Sequence, residues 1–99
     1  MSVIWKYELE LKEKQAVSMP IGAEIIHIAA QFEKPCIWAI VDPYAEKEDR
    51  VIGILTTGGP HFNADVSHHC GSFFLNGGLF VGHVFESALG QTAAKGTAT

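Results

Sequence analysis

Residues 71–86 read GSFFLNGGLFVGHVFE. Two apolar runs, 73–75 and 79–85, flank Asn76-Gly77-Gly78. Asn-Gly and Gly-Gly tolerate the positive φ angles that a tight hairpin turn demands. The stretch therefore predicts a β-hairpin, and the rest of the chain has to supply partners for it.

Alternation of apolar and polar residues supplies them. Over residues 3–11, Val3, Trp5, Tyr7, Leu9 and Leu11 share one face, and Ile4, Lys6, Glu8 and Glu10 share the other. That is the period of a half-buried strand. Residues 16–19 give a short second strand, stopped by Pro20 and Gly22. Residues 23–32 give a third, with Ile26, Ile28, Ala30 and Phe32 on one side and a turn at Glu33-Lys34-Pro35. Residues 36–41 are continuously apolar and predict a central strand buried on both faces, ended by Asp42-Pro43. Residues 44–50 read as a charged loop, 51–55 as a fifth strand, and 56–72 as a long loop. No segment holds a helical period. The prediction is all-β: one small antiparallel barrel or sandwich of about seven short strands over residues 1–87, followed by a flexible tail over 88–99.

Composition narrows the function classes. The chain has 99 residues, 47% hydrophobic, and a net charge of −4. Its seven Lys and Arg are dispersed, so binding to a nucleic-acid backbone is not expected. No apolar run approaches the ~20 residues of a membrane span, and the first residues lack the pattern of a signal peptide. A soluble protein of the cytoplasm, with Cys36 and Cys70 reduced, is expected. So high an apolar content in so short a chain favours a homo-oligomer, with a dimer first.

The candidate chemistry gathers in the loop before the hairpin, where His61, His68, His69 and Cys70 lie close in sequence. Zinc would need these ligands to converge tetrahedrally, and adjacent residues of an extended segment point opposite ways. No metal or other cofactor is therefore expected. A Cys70 nucleophile with His68, His69 or His83 has no local motif around it, and enzymatic activity is not the favoured reading. Neutral imidazoles donate and accept hydrogen bonds at once, which suits a nucleobase or phosphate. Gly58-Gly59-Pro60 is either a turn or an anion-cradling nest. Phe62 can stack a base. The predicted ligand-binding set is thus Gly58, Gly59, His61, Phe62, His68 and His69. His83, beside Leu79, Val81 and Phe85, reads as a core or interface histidine.

Lys6-Tyr7-Glu8-Leu9, Pro35-Cys36-Ile37-Trp38-Ala39 with Val41-Asp42-Pro43, Thr57-Gly58 with Pro60, Gly71-Ser72-Phe73, and Val81 with His83-Val84-Phe85-Glu86 stand in this order. In that arrangement the chain resembles a group of small proteins of bacteriophage and prophage genomes. It departs from that group in a longer, His-richer 61–70 loop and in Gly82, where a bulky residue is common. The resemblance implies phage origin, the host bacterial cytoplasm and a β-rich domain, with no residue roles. Small phage proteins without catalytic motifs often act by binding. The expectation is a non-enzymatic anti-defence protein that sequesters a small anionic nucleotide signal. The alternative is an inhibitor or adaptor of a host protein that acts through an exposed apolar hairpin.

Overall fold

The computed structural model describes residues 1–60, 66 and 68–87. The seven strands are β1 (Val3–Glu8), β2 (Gln15–Pro20), β3 (Glu24–Gln31), β4 (Lys34–Val41), β5 (Lys47–Thr56), β6 (His68–Leu75) and β7 (Phe80–Glu86). They form two antiparallel sheets, β1-β4-β3 and β2-β5-β7-β6. The fold is a two-sheet sandwich and not a closed barrel. Among the described residues there is one 3-10 turn, Asn76–Gly78, and no helix long and apolar enough to cross a membrane.

The two inner faces bury Leu9, Met19, Ile28, Ile37, Ala39, Val41, Ile52, Ile54, Phe73, Leu75 and Val84. Strand alternation places them there: Ile37, Ala39 and Val41 of β4 point inward, as do Ile52 and Ile54 of β5. β4 is central in its sheet, as its apolar run implies. Its outer face is not fully buried, however, because among the described residues no further layer covers it. Trp38 and Ile40 remain half-exposed there, with His27 against the Trp38 ring at 5.4 Å.

Three local readings are corrected by the pairing. In β3 the register steps from Ile25↔Ala39 to His27↔Trp38, a β-bulge that pushes Ile26 outward and brings Ile25 to the core side with Ile28 and Ala30. The turn after it is made by Phe32 and Glu33, both at positive φ, so Lys34 and Pro35 already belong to β4. The charged run is not all loop: β5 begins at Lys47, with Pro20↔Lys47 and Val17↔Arg50 as partners.

The 56–72 loop is also shorter than its polar sequence implies, since β6 begins at His68. The hairpin turn is as expected, with Asn76, Gly77 and Gly78 all at positive φ. Leu79, expected to open the last strand, instead closes the turn and is 85% exposed. The 88–99 tail lies outside the described residues.

Candidate functional site

A second β-bulge builds the site. In β6 the register passes from His69↔Phe85 to Gly71↔Val84, which leaves Cys70 as the extra residue. Residues three apart on a regular strand face opposite ways. The bulge cancels that alternation, so His69 and Ser72 both face outward, beside Phe85 and His83 of β7. Gly71 is needed at this point, because a Cβ there would come within 3.0 Å of the Ile28 side chain on β3.

The outward residues form a hydrogen-bonded string. The His83 Nε2 lies 2.6 Å from the Thr57 hydroxyl, and its Nδ1 lies 2.7 Å from the Ser72 hydroxyl. The Ser72 oxygen is in turn 3.4 Å from His69 Nε2. A neutral imidazole has one donor and one acceptor nitrogen, and a hydroxyl can play either part. Both His83 nitrogens are therefore satisfied in either tautomer. The His69 ring stacks obliquely on Phe85 at 5.1 Å. Leu55, Val81 and Phe85 flank the string half-buried, and Phe74 stands 63% exposed at its side.

On the other side of β6 a cleft of about 310 Å³ opens, lined by Glu24, Ile25, Arg50, His68, His69, Cys70 and Glu86. At its base the buried Arg50 guanidinium donates to both Glu86 carboxylate oxygens, at 2.5 and 2.8 Å, and to the Ala23 carbonyl at 2.6 Å. The Glu86 hydrogen bond raises the Arg50 pKa above its ordinary value, against the opposing effect of burial. The cleft is thus lined by a neutralised cation and by the exposed Glu24 carboxylate. Nearby, burial raises the Tyr7 phenol, with the Arg50 charge working the other way.

Cys70 is held in its protonated form in this setting. Burial, reinforced by the Glu86 carboxylate, pushes its thiol up from 9.0 to about 11. Only the thiolate attacks, so at pH 8 iodoacetamide should alkylate Cys70 about 100-fold more slowly in the folded chain than in urea. Mass spectrometry of the labelled peptide measures this. The sign for stability follows. Between pH 9 and about 11 the unfolded thiol loses its proton while the folded one keeps it. Cys70 therefore withdraws stability as pH rises through that window and has no effect below it.

The ligand-binding set predicted from sequence is only partly assembled. His68 and His69 are exposed and line the cleft. Gly58 and Gly59 form the turn that leaves β5, and the Gly59 N–H donates to the Thr56 carbonyl at 3.1 Å. That donor is spent on the turn. His61 and Phe62 lie outside the described residues. Among the described residues no three His, Cys, Asp or Glu side chains gather as a metal set. Thr57 and Ser72, which carry part of the resemblance, had no site role predicted from sequence; they reach His83 across 26 and 11 residues of chain.

No curated protein and no solved structure matches the chain. Residues 1–95 match the family model described as a domain of unknown function, DUF7352, and the chain belongs to that family.

Proposed function

We propose that this chain is a non-enzymatic binding protein that engages another protein through the outer face of its four-stranded sheet. One observation carries the reading. An antiparallel sheet with one face on the core should show polar residues on the other. Here Leu55, Phe74, Val81 and Phe85 make that outer face apolar, with the His83 string set among them. Aromatic and aliphatic groups around a few satisfied polar ones are the anatomy of a protein interface. The resemblance to phage proteins suggests a host protein as the partner. The two free thiols, Cys36 and Cys70, fit a reducing cytoplasm.

Nucleotide sequestration is the second reading, favoured by His68 and His69 at the cleft. Charge argues against it. Arg50 is already paired with Glu86, and Glu24 adds a further negative charge to the cleft lining. A thermal-shift screen against cyclic dinucleotides and ADP-ribose derivatives separates the two. A ligand at 100 times its Kd would raise the melting midpoint by more than about 10 °C. No such rise is expected. A saturable rise that His68→Ala/His69→Ala abolishes would replace the protein-binding reading with nucleotide capture.

A further inference from the structure

The sandwich has strand edges that the two sheets leave open, and they are not equivalent. β3 and β6 lie against each other, with Gly71 packed on Ile28. β2 carries Pro20 at one end, and at the other the chain is irregular, with Glu13 folded against Gly53. β1 differs. It contains no Pro, Gly or bulge, and it pairs one-to-one with β4 from Val3↔Val41 to Glu8↔Cys36. Its other side has no strand neighbour among the described residues. A regular edge rich in β-branched and aromatic residues is a template for strand addition.

We propose that β1 is the self-association edge, and that two copies of this chain pair antiparallel through it about a two-fold axis at Tyr7. The charge pattern selects this partner and this register. On the outer face Lys6 and Glu8 stand two residues apart with opposite signs, both exposed. Pairing with Tyr7 opposite itself sets Lys6 of each copy against Glu8 of the other. A shift of one residue on each strand sets Lys6 against Lys6 and is repulsive. Within one chain Lys6 reaches Gln31 and Glu8 reaches Lys34, all on the exposed surface, so neither charge is locked away from a second copy.

The same register sets Trp5 opposite Leu9, the buried residue just past the end of β1, on the inner side, where Trp5 is half-buried at the flank of the core. The exposed Ile4, at 59%, continues the apolar surface of Ile40 and Trp38 toward the edge. The product is a six-stranded continuous sheet, closed by its own symmetry and unable to grow into a fibre. It leaves the outer face of each four-stranded sheet free, so the dimer presents two copies of the proposed partner-binding face.

Light scattering and sedimentation velocity of the full chain, from micromolar to 100 µM, test this. The expected mass is twice the 10.7 kDa of one chain. Lys6→Glu or Glu8→Lys alone should weaken dimerisation about tenfold, since each turns two attractions into two repulsions. The double swap, Lys6→Glu with Glu8→Lys, should restore it. Both positions are exposed, and circular dichroism checks that each variant is folded. A monomeric mass throughout would overturn the proposal, as would a dimer indifferent to both single changes. A dimer lost on Phe74→Asp and kept on Lys6→Glu would move the interface to the outer face of the other sheet. It would overturn the partner-binding reading of that face as well.

Discussion

Replacing Glu86 with alanine is expected to destabilise the domain by about 3–5 kcal/mol. Arg50 and Glu86 are each only 8% exposed, and the carboxylate accepts two of the guanidinium's hydrogen bonds. Without it a buried positive charge keeps the Ala23 carbonyl as a hydrogen-bond partner and the Glu48 carboxylate as a nearby opposite charge, neither of which replaces the two bonds lost. Domains of this kind hold roughly 5–15 kcal/mol in total, so the variant approaches the unfolding threshold. Urea denaturation should show a lower midpoint with an unchanged slope. Changing both partners, Arg50→Met with Glu86→Leu, should recover most of the loss, because a buried pair is about as stable as the apolar groups that replace it. A loss below about 1 kcal/mol for Glu86→Ala, the range of exposed pairs, would mean that water reaches the pair in solution.

Gly82→Ala is expected to cost about 3 kcal/mol, against the usual gain from replacing glycine in a strand. Gly82 pairs with Phe73 across β6 and β7, and the Phe73 ring lies directly over it. A Cβ at Gly82 would meet three carbons of that ring at under 3.0 Å. Phe73 is 1% exposed in the core, with Phe80 beside it, and has no room to withdraw. The bare strand at Gly82 and the large ring opposite it are one packing unit. In the Gly82→Ala background, Phe73→Leu should therefore return part of the stability, although the same change in the parent chain is destabilising. Thermal unfolding of the four variants closes this cycle. Additive losses would show that the two residues are uncoupled.

Much of the fold was legible because strands here follow simple alternation. Val3, Trp5, Tyr7 and Leu9 take the inward face that their alternation predicts, whereas Leu11, expected on the same face, lies past the end of β1 and is 55% exposed. Asn76-Gly77-Gly78 predicted its turn. The illegible parts are those where the backbone departs from period two or from ordinary turn chemistry. The bulge at Ile26 reverses the expected facing of half a strand, and no residue type announces it. Phe32-Glu33 takes a positive-φ turn that sequence assigns to Asn and Gly. Arg50 sits in a charged run and reads as solvated until its partner, 36 residues away, is placed beside it.

The site shows the same division. His68 and His69 stood out by composition. The Thr57–His83–Ser72 string did not, because it is a cross-strand arrangement created by a bulge at Cys70.

The central claim is that the outer face of the four-stranded sheet is where this protein meets its partner. Photo-crosslinking in bacterial cells tests it most directly, with benzoylphenylalanine placed at Phe74 on that face and, as control, at Phe32. Phe32 is more exposed, at 89%, but lies in the β3–β4 turn. Position 74 is expected to give one discrete adduct, larger than two copies of the chain, and position 32 none. No adduct from position 74, or the same pattern from both positions, would contradict it.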